Sequence, residues 1–136
     1  NLEKLIMLYK VENDVIFTGI IKKEELRYAY SNCKLFVFPS LCESSGYTLI
    51  EAMSCGAAVL CSDVTAMPFT CKYGAEYFNP YSEKDLNLKL NKILNNKNNL
   101  SEMKKKSLSR ASEMIDYQTA TNQFLKIVNK KLKNEC

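Results

Sequence analysis

Three short apolar runs, Val15-Ile16-Phe17-Thr18-Gly19, Leu35-Phe36-Val37-Phe38-Pro39 and Ala58-Val59-Leu60-Cys61, carry no polar alternation. Successive side chains of a strand point to opposite faces, so a strand with one wet face alternates and a strand covered on both faces does not. The runs therefore predict buried strands of a parallel sheet, with Glu76-Tyr77-Phe78 a weaker fourth. Between them lie segments of helical spacing: residues 23–31, with Leu26, Ala29 and Tyr30, and residues 47–55, with Leu49, Ile50, Ala52 and Met53. Strands alternating with helices predict right-handed βαβ units, hence an α/β fold with a Rossmann-like parallel sheet and flanking helices.

Beyond Asn79-Pro80 the pattern is helical only. Ser82 suits an N-cap, and Leu86, Leu90, Ile93 and Leu94 form a stripe that ends in a loop at residues 95–99. Leu100, Met103, Ala111 and Met114 predict a second helix, and Ala120, Phe124, Ile127, Val128 and Leu132 a third, all wrapping the sheet. At the other end Leu2, Leu5, Ile6 and Tyr9 are helically spaced with no cap before them, as in the last turns of a helix that begins earlier. Residues 1–136 read as one N-terminally truncated domain, α/β over roughly 10–80 and helical over roughly 82–133.

With 46% apolar and 25% charged residues, the 136-residue chain has the makings of one globular core, and it contains no apolar stretch long enough to span a bilayer. No secretory leader is legible at Asn1-Leu2-Glu3-Lys4, so a cytoplasmic location is expected. Six cysteines (33, 42, 55, 61, 71 and 136) include no pair at metal or redox spacing, and histidine is absent. They read as buried free thiols in a core-rich chain, and metal is not expected. The net charge of +4 belongs to the tail: residues 97–135 have a balance of +5, residues 1–96 a balance of −1. Lys104, Lys105, Lys106, Lys130, Lys131 and Lys133 read as a solvated helix face rather than a nucleic-acid footprint, with contact at an anionic inner membrane face the minor reading.

Chemistry concentrates in residues 39–56, Pro-Ser-Leu-Cys-Glu-Ser-Ser-Gly-Tyr-Thr-Leu-Ile-Glu-Ala-Met-Ser-Cys-Gly. A buried strand ends, a polar loop follows, and a helix opens near Gly46 and Tyr47, the arrangement at which α/β folds bind ligands. The first N–H groups of that helix, around Tyr47 and Thr48, lack intrahelical partners and lie at its positive end, and Gly46 permits a phosphate to come close. Glu43 and Glu51 flank this anion site. Like charges repel, so the two carboxylates suit hydroxyl groups on either side of a diphosphate, which is what a nucleotide sugar offers. A plainer reading also fits: Glu51 steadying a helix turn, Glu43 solvated, and Ser44-Ser45-Gly46 an ordinary turn and cap region.

Glu43 and Glu51, separated by seven residues and set between Phe38-Pro39-Ser40-Leu41-Cys42 and Ala52-Met53-Ser54-Cys55-Gly56-Ala57-Ala58-Val59, resemble the signature of the group 1 glycosyltransferases. The resemblance extends over nearly the whole chain, through Val15-Ile16-Phe17-Thr18-Gly19, Glu25-Leu26 and Tyr28, Lys34 to Ser40, Ser62-Asp63 with Pro68, and Gly74 with Phe78-Asn79-Pro80. It implies the C-terminal half of a two-domain GT-B fold and a hexosyltransferase activity that proceeds with retention. By resemblance, Glu43 binds the transferred sugar and Glu51 the ribose. Ser44 and the amides near Gly46, Tyr47 and Thr48 hold the diphosphate, and the turn of Gly19, Ile20 and Ile21 lies against the base. No cofactor or metal is implied, the nucleotide-diphosphate sugar being the donor substrate, and no Asp-x-Asp motif occurs.

Two positions depart from the family: Ser45 stands where an aromatic residue is usual, and Phe69 where an acidic residue follows the proline. The family's diphosphate-clamping Arg and Lys, and the domain that binds the glycan, lipid or protein acceptor, precede the matched region, so the isolated chain is not expected to turn over. Two other functions remain open: a non-catalytic nucleotide-binding remnant or subunit, and a nucleotide-sugar epimerase, which the Glu43-to-Glu51 spacing suits less well.

Overall fold

A computed structural model describes residues 2–114 and 117–134. The elements run α1 (Leu2–Tyr9), α2 (Lys23–Asn32), β1 (Phe36–Phe38), α3 (Tyr47–Ser54), β2 (Val59–Ser62), α4 (Met67–Cys71), a 3-10 turn (Lys72–Gly74), β3 (Glu76–Phe78), α5 (Glu83–Leu94), α6 (Lys97–Ser112) and α7 (Tyr117–Asn134). The three strands form a parallel sheet in the order β1-β2-β3. The crossover β1-α3-β2 is a βαβ unit predicted from the apolar runs; β2-α4-β3 adds a short helix that no periodicity announced, and the unit expected from residues 15–19 through α2 to β1 does not form.

Both faces of the sheet carry apolar clusters, which explains the missing alternation, although only β2 is buried throughout and the expected buried strand β1 is half-buried at all three residues. Phe36, Phe38, Val59, Cys61 and Tyr77 meet Tyr30, Leu49, Met53 and Met67 on one side. Leu35, Val37, Ala58, Leu60 and Phe78 meet Leu86, Leu90, Ile93, Leu100 and Met103 on the other. β2 lies between its two neighbours with all four residues buried. The helix α3 closes in a Schellman motif: Ala57 donates to the Ala52 carbonyl (3.1 Å) and Gly56 to that of Met53 (2.9 Å).

α6 belongs to both layers. Its first turns contribute Leu100 and Met103 to the second cluster, whereas Ala111 joins the first. Near its end Arg110 is buried, with Nε donating to the Thr70 carbonyl at 3.0 Å and Nη1 reaching the Glu113 carboxylate at 3.3 Å. Gly74 makes room for it: a Cβ there would stand 2.7 Å from the Arg110 Cβ.

Several expectations need correction. Residues 15–19 form no strand. Val15 and Phe17 instead line a shallow cavity with Ile6 and Met7 of α1, and Ile16 is 84% exposed. An apolar run becomes a strand only where a neighbouring backbone takes its N–H and C=O groups, and β1, the edge strand on that side, pairs with β2 alone among the described residues. The loop expected at 95–99 shrinks to Asn95 and Asn96, because Asn96 caps α6 by accepting from the Asn99 amide at 3.2 Å. Met114 lies past the end of α6. No described residue of α7 enters either core cluster, and Phe124 and Ile127 are exposed, so α5 and α6 cover the sheet and the described side chains of α7 do not. The Leu132 side chain lies outside the described residues. Of the thiols, Cys61 and Cys71 are buried, Cys33 and Cys55 half-buried, and Cys42 exposed because it sits in the loop between β1 and α3; Cys136 lies outside the described residues. A hydrogen bond shared with Cys71, and then burial, hold the Cys61 thiol above the ordinary range. Ser82 caps α5 as predicted, accepting from the Asp85 amide at 3.2 Å. Among the described residues no helix is long and apolar enough to cross a membrane.

Gly74→Ala tests the contact under Arg110. Overpacking of this kind costs about 1–3 kcal/mol, which urea denaturation would read as a lower midpoint at unchanged slope. An unchanged midpoint would contradict the packing described here.

Candidate functional site

Parallel strands deliver their following loops to one edge of a sheet, where ligands of open α/β folds bind. Here β1 and β2 bring two such loops together, residues 39–46 and residues 63–66. The Glu43 amide donates to the Thr65 hydroxyl oxygen at 3.2 Å, and the Thr70 hydroxyl donates to the Ser45 carbonyl at 2.8 Å. Within the first loop the Ser40 hydroxyl lies 3.1 Å from the Glu43 carboxylate and 3.3 Å from the Cys42 carbonyl, so it orients Glu43 as well as tightening the turn.

Gly46 ends this loop and serves as the N-cap of α3. Its φ of 68° is left-handed, a conformation glycine adopts without steric cost, and the cap carries no side-chain hydrogen bond. Its carbonyl accepts from the amides of Leu49 (2.9 Å) and Ile50 (3.3 Å). The two preceding amides, of Tyr47 and Thr48, stand at the helix start, where neither the helix nor a capping side chain supplies an acceptor. Leu49, Ala52 and Met53 are buried and pin the helix to the sheet, while Tyr47 is exposed. The sheet thus holds the helix, and Gly46 itself is buried: its missing Cβ makes room for Leu49 (3.3 Å) and Thr70 (3.9 Å) rather than for an approaching phosphate, so the exposed part of the helix start is at Tyr47.

One turn further, Glu51 is exposed and lines a cleft of about 300 Å³ between α2 and α3 with Lys23, Arg27, Tyr30 and Cys55. Lys23, Arg27 and Tyr30 share a face of α2 through their spacing of four and three residues. Burial raises the Tyr30 phenol above its ordinary value, and the Glu51 carboxylate adds to the shift. Tyr30 therefore keeps its proton, and the cleft combines a hydrogen-bond donor, two cations and a carboxylate acceptor.

Of the residues selected by sequence, Glu43, Ser44, Gly46, Tyr47, Thr48 and Glu51 fall along one loop and the two opening turns of one helix. Gly19 and Ile21 lie in the segment leading into α2. Gly19 has a left-handed φ of 60° and is exposed, nothing lies within 4 Å of a Cβ built on it, and Ile21 is half-buried. The sequence reading missed Arg27 and Tyr30 as lining residues, although their helical register with Lys23 was visible. It also missed Thr65, Thr70 and Arg110, which support the loop from segments with no periodic signal.

Residues 1–110 match the family model described as "Glycosyl transferases group 1". The serotype-specific mannosyltransferase WbdA of Escherichia coli is 36% identical over 108 residues, covering 79% of this chain and 13% of that protein. The sulfoquinovosyl transferase SQD2 of Arabidopsis thaliana is 30% identical over 114 residues, 80% of this chain and 22% of its own length. This chain therefore spans a small part of the relatives it matches. Among solved structures, a sucrose-phosphate synthase from Thermosynechococcus elongatus superposes with a TM-score of 0.84 at 25% identity, covering 98% of this chain and 34% of that one. HepE of Anabaena, solved in complex with UDP, superposes with a TM-score of 0.84 at 20% identity, covering 95% of this chain and 36% of its own. The match of the family model over residues 1–110, on a parallel sheet with the fold of these transferases, establishes that the chain belongs to the group 1 glycosyltransferases.

Proposed function

We propose that this chain binds the nucleotide-diphosphate sugar donor of a retaining hexosyltransferase, with the diphosphate on the amides of Tyr47 and Thr48. The observation that carries this reading is the opening of α3: a left-handed glycine cap with no side-chain acceptor, carboxylates before and after it, and a sheet edge behind it. Glu43, in the loop before the helix, accepts hydroxyls of the sugar, and Ser44 adds a donor to the diphosphate. Glu51, in the cleft beside α2, accepts the ribose hydroxyls, with Tyr30, Lys23 and Arg27 around it. The turn of Gly19 and Ile21, which leads into α2, takes the base. That HepE was solved with UDP supports a nucleotide on this fold.

As the bond to the anomeric carbon breaks, negative charge grows on the departing diphosphate and positive charge on the sugar ring. Fixed N–H dipoles at the start of α3 stabilise the first without reorganising. Glu43, oriented by Ser40, holds the sugar while that charge develops. The acceptor, a glycan or lipid, and any peripheral contact with a membrane are assigned to the whole protein, of which 136 residues are the donor-holding part.

The two carboxylates carry separable predictions. Saturation-transfer NMR with UDP, GDP and ADP should show ribose signals for one nucleotide. Glu51→Ala should weaken that nucleotide about tenfold or more, the loss of hydrogen bonds to a charged group. Glu43→Ala should leave the free nucleotide unaffected and weaken its hexose ester about tenfold, because only the ester carries the sugar. No signal from any nucleotide would remove the donor reading, and equal effects of the two substitutions on the free nucleotide would remove the assignment of ends.

A further inference from the structure

We propose that Thr65 and Thr70 are positioning residues that clamp the donor loop at two points, Thr65 setting the sugar end through Glu43 and Thr70 setting the diphosphate end through Ser45. This deepens the donor reading of that loop and rests on it. The two threonines bracket the entry to α4 and reach back 22 and 25 positions in sequence to grip residues only two apart. Loop 43–46 is thereby tied through Thr65 to the neighbouring β2-α4 connection and through Thr70 to α4 itself.

The two grips differ in construction. Thr70 is buried and backed by the interior: its amide donates to Ala66 at 2.8 Å and its carbonyl accepts from buried Arg110 at 3.0 Å. A line of hydrogen bonds thus runs from α6 through α4 to the Ser45 carbonyl, immediately before the glycine cap. Thr65 is exposed and has a φ of 53°, a left-handed conformation that is a true outlier for a β-branched residue. Glycine or asparagine would sit there with less strain. Strain of this kind persists where the surroundings impose it and concentrates at functional sites. What threonine supplies in exchange is the hydroxyl that accepts the Glu43 amide.

The test uses valine and serine at both positions, valine deleting the hydroxyl at constant shape and serine restoring it. Hydrogen exchange of the Glu43 amide is followed by NMR, and calorimetry gives affinities for whichever of UDP, GDP and ADP binds and for its hexose ester. Thr65→Val should speed exchange at Glu43 and weaken the hexose ester about fivefold while leaving the free nucleotide unchanged. Thr70→Val should weaken both about fivefold, and each serine variant should recover the parent affinity. Thr65→Gly, which relieves the backbone while deleting the hydroxyl, should melt no lower than the parent yet share the binding defect of Thr65→Val. Parent-like binding by the valine variants would overturn the clamp and leave the donor site standing, as would serine variants that fail to recover. An unsubstituted chain that binds none of the ligands would overturn both.

Discussion

The burial of β2 on both faces is the constraint from which the rest of the structure follows. Val59, Leu60, Cys61 and Ser62 have no exposed surface, so each face needs its own helical cover, and α3 with α4 and the end of α6 supplies one while α5 with the start of α6 supplies the other. Parallel pairing with β1 and β3 then places the ends of β1 and β2 at a common edge. The loop that carries Glu43 and the turn that carries Thr65 meet there because the strands before them are in register, Phe38 opposite Cys61. The helix α3 points its start at that edge because its other end is anchored by the Schellman motif that leads into β2.

The polar part of the site depends on the apolar part. A helix start can receive an anion only if its first amides are not already satisfied and the helix cannot move, and both conditions are met by buried Leu49, Ala52 and Met53 behind a glycine cap that supplies no side-chain acceptor. The loop before it is made almost wholly of polar backbone, which must be satisfied locally. Ser40, Thr65 and Thr70 supply those partners, and Arg110 ties the last of them to α6. A cation in the interior is costly unless it is paired and hydrogen-bonded, and here the Thr70 carbonyl and the Glu113 carboxylate each accept from it.

Much of this was legible in the sequence, for reasons that differ by element. β2 was visible because two-sided burial erases alternation, β1 because its half-buried residues face an apolar cluster on each side, and α3 because Leu49, Ala52 and Met53 recur at helical spacing. The spacing of Glu43 and Glu51 pointed to the loop and helix on which the candidate site is built. Residues 15–19 read as a strand because apolarity alone does not reveal whether a hydrogen-bonding neighbour exists. The asparagine run hid a helix start, since the residue that favours loops also caps helices. Arg110 sat unremarked in a basic tail that reads as solvated, and nothing local distinguishes it from the lysines around it; only Gly74, distant in sequence and packed beneath it, marks it as interior. Thr65 and Thr70 act through contacts more than 20 residues away, which no periodicity encodes.

The central claim is that a nucleoside diphosphate places its phosphates on the opening turn of α3. The most direct measurement is a backbone amide chemical-shift map of the chain titrated with the nucleoside diphosphate that binds. The account predicts the largest shifts at the Tyr47 and Thr48 amides, with a second group at residues 23–30 and 51 along the cleft between α2 and α3. Shifts confined to the polar cavity of about 310 Å³ at the amino end of β3, lined by Glu76, Lys89, Lys92 and Asn99, would contradict it.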